Sequence, residues 1–257
     1  MLGAIIGDIV GSRFEFNNTS DYNFDLFSNK CSFTDDTICT VAIADALMKG
    51  KDYGESLRLW CNQYPHPMGG YGGGFAAWLA SDEPKPYNSF GNGAAMRVSP
   101  IGWWFDTLDD VKREAGLTAM PTHNHPEGIK GAVATASAVF LARKFGKDDM
   151  LLTMREYYPK WKEPLLGRNV FDETCQGTMP VVFGILNKAQ SFEDAIRLSV
   201  AVGGDSDTIG AIVGGIAEAI WGIPADIKAV ALAFLPKTIK DTVNNFYGRI
   251  KQKNDEK

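Results

Sequence analysis

Histidine is scarce in this chain, with three in 257 residues. Two of them fall in Thr122-His123-Asn124-His125-Pro126, and no cysteine or third histidine lies at ligand spacing, which argues against zinc. The four cysteines, Cys31, Cys39, Cys61 and Cys175, include no C-x-x-C pair. They read as reduced, packed thiols of a cytoplasmic protein and not as a disulfide frame. No basic run is present and the net charge is −5, which argues against a nucleic-acid surface. The opening residues, Met1 to Asp8, carry no cationic segment and meet an aspartate too early for a secretory leader. No apolar run is long enough to span a bilayer; the best candidate, 211–235, is broken by Glu218, Pro224, Asp226 and Lys228. Strand signals are equally rare. Apolar and polar residues nowhere alternate convincingly, and Asn92-Gly93 leads into Ala-Ala-Met-Arg, a helix start.

What is present is helical periodicity over an ordinary apolar content of 45%. In 208–221 the residues Ile209, Ile212, Val213, Ile216, Ala217 and Ile220 form one apolar stripe. The same spacing recurs in 127–144, closed by Gly146, and in 37–49, closed by Gly50. Met179, Val182, Phe183 and Leu186 mark another helix, and Ser191 with Asp194 resembles a capping box for the next. The pattern predicts an all-α fold, one compact domain over 1–257 with roughly ten helices and a frayed tail from Lys251. Irregular segments fall near 12–34, 64–74, 82–93, 121–126 and 159–175, where binding residues concentrate.

Two acidic stretches dominate the chemistry: Thr34-Asp35-Asp36-Thr37 and Gly203-Gly204-Asp205-Ser206-Asp207-Thr208. Each puts two carboxylates and threonine hydroxyls where a loop enters a helix. Helix capping is the plain reading, since aspartate there accepts from free N–H groups for about 0.3–1 kcal/mol. It explains one acid per helix but not two acids plus threonine in both stretches. Four carboxylates meeting in space repel strongly, and a hard divalent cation with oxygen ligands removes that conflict. Glu218 is excluded as a further ligand, because eleven residues at 1.5 Å rise place it about 16 Å along the helix.

Other stretches are weaker alone. Gly3, Gly7 and Gly11 make a flat stripe suited to close helix packing, with Glu15 thrown into the loop beyond. Tyr71-Gly72-Gly73-Gly74-Phe75 feeds a short helix whose free N–H groups suit an anion. Ser89-Phe90-Gly91-Asn92-Gly93 is a second glycine-bearing loop, in which Phe90 can stack on a base and Asn92 can bond a sugar or phosphate. Arg97 behind it reads better as an internal salt-bridge partner. His123 suits a neutral donor to a substrate oxygen.

Taken in order, these motifs resemble the ADP-ribosylglycohydrolase family. They comprise Gly7-Asp8…Gly11…Glu15, Thr34-Asp35-Asp36, Tyr71 to Gly74, Gly91-Asn92-Gly93…Met96-Arg97, Thr122-His123 and Gly203 to Thr208. The resemblance implies an all-α fold around two divalent cations, Mg²⁺ or Mn²⁺, held by Thr34, Asp35, Asp36, Asp205, Asp207 and Thr208. It implies hydrolysis of a glycosidic bond between ADP-ribose and an acceptor, an arginine or serine side chain of a protein or a small molecule. Glu15 would act as acid/base or gating carboxylate, with Asp36 and Asp207 also catalytic. Gly72, Gly73, Gly74 and the segment Ser89, Phe90, Gly91, Asn92, Gly93 would hold diphosphate and adenosine, with His123 near the distal ribose. A second proton-transfer residue used by some members has no match here, and Asp82 and Glu83 stand only as candidates for it. Two other readings stay open: a non-catalytic ADP-ribose-binding relative, and a metal-dependent phosphohydrolase of nucleotide diphosphates.

Overall fold

The computed structural model describes residues 1–255. Among them are fourteen α-helices, one 3-10 turn (Ser12–Phe14) and no strand beyond two isolated bridges, Thr34 with Met68 and Gly91 with Thr174. The first half contains α1 (Leu2–Gly11), α2 (Asp35–Lys49), α3 (Tyr53–Gln63), α4 (Gly73–Ala80), α5 (Gly93–Met96), α6 (Ser99–Trp104) and α7 (Leu108–Ala119). The second contains α8 (Pro126–Phe145), α9 (Lys147–Tyr157), α10 (Cys175–Lys188), α11 (Phe192–Ala201), α12 (Ser206–Trp221), α13 (Ala225–Ala233) and α14 (Lys237–Asp255). The all-α expectation stands, with more helices than the ten expected. The surplus includes four- and six-residue pieces, α5 and α6, too short to show a period. Helix α14 runs through Lys251 to Asp255, where a frayed tail was expected; residues 256 and 257 lie outside the described residues.

The molecule is organised on the pair α1 and α12. Helix α1 is buried along its whole length, and α12 from Ser206 to Glu218. Ile5, Ile6, Ile9 and Val10 are wholly buried, each contributing about 1.5–3 kcal/mol by removal from water. The two helices touch backbone to backbone, which their glycines permit. A Cβ on Gly7 would fall inside the carbonyl of Gly210, and one on Gly3 inside that of Gly214. A Cβ on Gly11 would lie 2.6 Å from Cα of Asp207. The glycine stripe thereby sets Glu15, just past the end of α1, beside the entrance of α12. Helix α2 packs on α1 and α3, and α8 carries α5, α6, α7 and α9 on its flanks. No helix among the described residues is long and apolar enough to cross a membrane.

Candidate metal centre and substrate cavity

The entrance of α2 separates two jobs that the sequence left entangled. Thr34 is the cap: its Oγ1 accepts from the Asp36 amide at 3.2 Å. Asp35 and Asp36 are therefore released from capping, and both line a cavity of about 360 Å³. At the other entrance Asp205 occupies the capping position yet caps nothing. Its Oδ2 instead accepts from Nδ2 of Asn92 at 2.7 Å. Helix capping thus fails as the explanation of either acidic pair.

The two entrances meet. Oγ1 of Thr208 lies 3.4 Å from Oδ2 of Asp36, as does Oγ1 of Thr34. Carboxylate oxygens of Glu15, Asp205 and Asp207 approach within 4.8 Å of one another, a trio that can hold a metal ion. Oδ1 of Asp36, Oδ1 of Asp207 and Oε2 of Glu15 are buried with no hydrogen-bond partner. Asp36 is 2% and Asp207 3% exposed, so water does not satisfy them freely. Orphaned, clustered oxygens of this hardness fit a divalent cation, and Glu15 joins the ligand-distance trio where the sequence offered it only as a neighbour.

Electrostatics agrees with the geometry. Burial, followed by the charge of Asp8, pushes the carboxyls of Asp35 and Asp36 well above the usual range. Burial, followed by Asp205, does the same to Asp207. Glu15 is pushed up to about 7 by burial first and the charge of Asp205 second, and Asp8 to about 6 by burial. In the unfolded chain Glu15 returns to about 4.5. Without metal the folded state therefore binds more protons than the unfolded one between about pH 4.5 and 7, and its stability falls as pH rises through that window. A cation displaces those protons. At a hundredfold excess over its Kd, Mg²⁺ or Mn²⁺ is expected to add about 2.7 kcal/mol, or about 5–10 °C in Tm, at pH 8 and clearly less at pH 5. Thermal scans with and without EDTA at both pH values check this; equal shifts, or none, contradict it.

The roles of the supporting shell leave little trace in the sequence. Asp8 is wholly buried, and its Oδ2 accepts from the amides of Thr34 and Thr37 at 3.0 and 3.1 Å and from the Thr37 hydroxyl. It pins the α2 entrance to α1. Asn18 locks the other side: its Oδ1 accepts from the Gly204 amide at 2.8 Å and its Nδ2 donates to the Gly204 carbonyl at 2.9 Å. Gly203 and Gly204 both have positive φ, +76° and +91°, a backbone open to glycine that aims Asp205 inward. Across the cavity Gly69, with φ +77°, leaves room for Glu15, whose Oε2 would lie 2.7 Å from a Cβ there.

The remaining expected residues divide. Gly72, Gly73, Gly74, Ser89, Gly91, Asn92, Gly93 and His123 line the cavity, and no side chain caps α4, whose first amides stay open. Phe90 does not line it; the half-exposed ring packs edge-on against His125 at 5.3 Å, where base stacking was expected. Nδ2 of Asn92 donates to Asp205 and to Thr178 Oγ1 at 3.1 Å, so this side chain, besides lining the cavity, positions a carboxylate. Asp82 and Glu83 are exposed, outside the cavity, with Glu83 facing Lys85 at 3.9 Å. Glu173, not anticipated, faces the cavity instead.

Arg97 is internal as expected, but its partners correct the salt bridge. At 1% exposure its Nη2 donates to the Thr118 carbonyl and to Thr122 Oγ1, both at 2.9 Å, and none of the ion pairs among the described residues includes it. This fixes the histidine. Thr122 Oγ1, which accepts from Arg97, also lies 2.7 Å from Nδ1 of His123; with the hydroxyl as donor there, the ring proton is on Nε2 beside Gly91 and Gly93. Burial and then the Arg97 charge push the imidazole down to about 3, so it stays a neutral donor.

Comparison with known proteins follows the same lines. The family model described as ADP-ribosylglycohydrolase matches residues 1–256. ADP-ribosylhydrolase ARH3 of Danio rerio is 26% identical, the match covering 87% of this chain and 82% of that protein. ARH3 of Homo sapiens is 28% identical over 55% of this chain and 48% of its own length, so that match spans about half of that relative. ADP-ribosylarginine hydrolase Tri1 of Pseudomonas putida is 23% identical over 87% of this chain and 70% of that protein. A solved chain titled "ADP-ribosylglycohydrolase-related protein complex" superposes with a TM-score of 0.70 at 23% identity, covering 91% of this chain and 94% of that one. With its whole described length matched by the family model, the chain belongs to the ADP-ribosylglycohydrolase family, enzymes that hydrolyse the glycosidic bond to ADP-ribose.

Proposed function

We propose that this protein hydrolyses the glycosidic bond between ADP-ribose and an acceptor, a protein arginine or serine side chain or a small molecule. Two divalent cations, Mg²⁺ or Mn²⁺, would be held by Thr34, Asp35, Asp36, Asp205, Asp207 and Thr208. The observation that supports this best is the meeting of two remote acidic helix entrances, with unpaired buried oxygens, in one cavity beside an uncapped helix N-terminus. When bound, the cations supply Lewis acidity toward the ribose hydroxyls and water.

The protein's own groups account for the rest. The open amides at Gly73 and Gly74 and the dipole of α4 favour the diphosphate. Nε2–H of His123 donates to a ribose oxygen. Glu15, with its carboxyl near neutrality, holds or gives up a proton at working pH, which suits general acid or base work at the anomeric carbon. Clustered carboxylates stabilise the positive charge that develops on the sugar. Asp8 and Asn92 act behind them as positioning residues.

The test is product analysis by mass spectrometry after incubation with arginine- and serine-ADP-ribosylated peptides, with Mg²⁺ or with EDTA. Free ADP-ribose released only with metal is the expected result. Release of AMP or phosphate identifies a phosphohydrolase, and binding without turnover a non-catalytic relative.

A further inference from the structure

Two thiols that the hydrolytic reading leaves unused stand side by side next to the acidic cluster. Sγ of Cys39 lies 3.8 Å from Sγ of Cys61, and both residues are buried. They belong to different helices, Cys39 to α2 and Cys61 to α3. The other two cysteines make different contacts. Cys31 Sγ lies 4.0 Å from the Leu26 carbonyl, and Cys175 Sγ donates to the Gly91 carbonyl at 3.1 Å.

Cys39 sits where a small oxidant can meet it and where movement matters. It lines the cavity, whereas Cys61 is not among the lining residues. On α2 it follows Asp36 by three residues and Asp35 by four, one turn beyond both carboxylates on the same side of the helix. Cys61 is tied to another part of the cavity wall. Its carbonyl accepts from the Tyr71 hydroxyl at 3.3 Å, and that hydroxyl also donates to the Tyr64 carbonyl at 2.8 Å. Tyr71 opens the run Gly72-Gly73-Gly74 along the cavity. The sulfur pair therefore joins the helix that carries Asp35 and Asp36 to the helix end that roots the glycine loop.

The resting state of the pair is the dithiol. Contact with Cys61, followed by burial, pushes the Cys39 thiol well above its usual range, so its reaction with oxidants is slow. A buried thiol alone would end there. Here a second sulfur already touches the first and traps it once it is oxidised. A disulfide holds its sulfurs about 2.0 Å apart, so closure from 3.8 Å draws α2 and α3 together. Their spacing is already fixed nearby, where Ser56 Oγ donates to the Ala42 carbonyl at 2.8 Å, and Asp8 fixes the α2 entrance. The displacement then falls on the first turns of α2 and on the Tyr71 anchor, both of them walls of the cavity.

We propose that Cys39 and Cys61 form a peroxide-sensitive dithiol whose closure to a disulfide reversibly slows hydrolysis. The inference concerns regulation of the site described above and rests on the glycosidic reading. The Cys39 sulfur attacks one oxygen of hydrogen peroxide, the O–O bond breaks, and Cys39 becomes a sulfenic acid as water leaves. The Cys61 sulfur then attacks the Cys39 sulfur and the S–O bond breaks. The departing hydroxide takes the Cys61 thiol proton and leaves as a second water. Two electrons pass from the thiols to the peroxide, and a thiol reductant returns them by exchange.

The test oxidises the reduced protein with a molar excess of hydrogen peroxide, removes the excess with catalase and follows three readouts. Non-reducing peptide mapping is expected to find Cys39 joined to Cys61, lighter by two hydrogens. The kcat/KM on ADP-ribosylated peptides in Mg²⁺ should fall at least about tenfold, within the loss that a misplacement of about 1 Å can cause. Mn²⁺ affinity, read by electron paramagnetic resonance without substrate, should weaken about tenfold, as when outer contacts of a metal are disturbed. Dithiothreitol should restore both. Cys61→Ala keeps the backbone carbonyl that holds Tyr71 and should keep its starting rate after the same treatment. Absence of the link, or a link that leaves kcat/KM and Mn²⁺ affinity unchanged, overturns the switch. So does a Cys61→Ala protein inactivated as fully as the wild type. Should that variant not fold, the wild type decides: activity lost in step with the linked fraction supports the switch, and activity lost ahead of it overturns it. A link that weakens Mn²⁺ binding in a protein that releases no ADP-ribose overturns the glycosidic reading and leaves the dithiol standing.

Discussion

Asp36→Asn and Asp207→Asn are each expected to lower ADP-ribose release by at least about a hundredfold, a loss that even outer partners of a metal can cause. Each retains an oxygen but loses the charge, and each turns an amide toward a cluster of acceptors. Asp36 Oδ2 receives the hydroxyls of Thr34 and Thr208, and its Oδ1 has no partner. The same substitutions remove one of several mutually repelling charges, so in EDTA the variants should melt at or above the wild-type temperature. That opposite movement, activity down and metal-free stability up, separates a functional carboxylate from a structural one. Near-normal hydrolysis in both variants would remove the catalytic assignment, and a collapse of helical content would make these residues structural.

The second large effect is at Gly7. Propensity alone says that a glycine inside a helix costs about 0.5–1 kcal/mol relative to alanine, so replacement should stabilise. Packing decides otherwise, because any Cβ on Gly7 enters the carbonyl of Gly210 and the helices must part. Gly7→Val is expected to cost at least about 3 kcal/mol, the upper range for overpacked cores, or about 6–12 °C in Tm. Hydrolysis should fall further than the folded fraction does, since separating α1 from α12 also separates Glu15 from Asp205 and Asp207. Gly248→Ala is the control: exposed in α14, with nothing within 4 Å of a Cβ, it should be neutral or slightly stabilising. Thermal melts of the two variants read this directly. A Gly7→Val protein that melts with the wild type contradicts the close contact.

These two predictions mark what is legible in a sequence and what is not. The glycine stripe of α1 and the acid pairs at helix entrances announce themselves because their geometry is local: periodicity and position in the first turn suffice. The boundaries of α2, α8 and α12 come within about two residues of the expectation for the same reason, the usual scatter at helix ends. Asp8 is different. It lies on a helix that is otherwise apolar or glycine, and its partners Thr34 and Thr37 belong to another element. Nothing in its own neighbourhood shows that its carboxylate is consumed by the α2 entrance.

Asn92 shows the converse case. An asparagine in a glycine loop looks free on every atom, but Asp205 and Thr178 arrive from far along the chain and take up its Nδ2. Arg97 looks like an ion-pair residue, because burial of a guanidinium ordinarily demands a carboxylate. The fold supplies a helix carbonyl and a threonine instead, and the hydroxyl passes the effect on to His123. Glu173 sits in a long irregular segment with no period to read, so only the clamp of its backbone to Asn92 reveals where it faces. Local pattern yields elements and their ends; which side chains are spent on one another is a tertiary matter.

The most direct test of the paired cation site is anomalous diffraction from crystals soaked in Mn²⁺. Two peaks are expected per chain, about 3.5–4 Å apart as in other two-metal sites, between the Asp35–Asp36 and Asp205–Asp207 entrances. Peaks elsewhere on the surface, or none at saturating Mn²⁺, would contradict it.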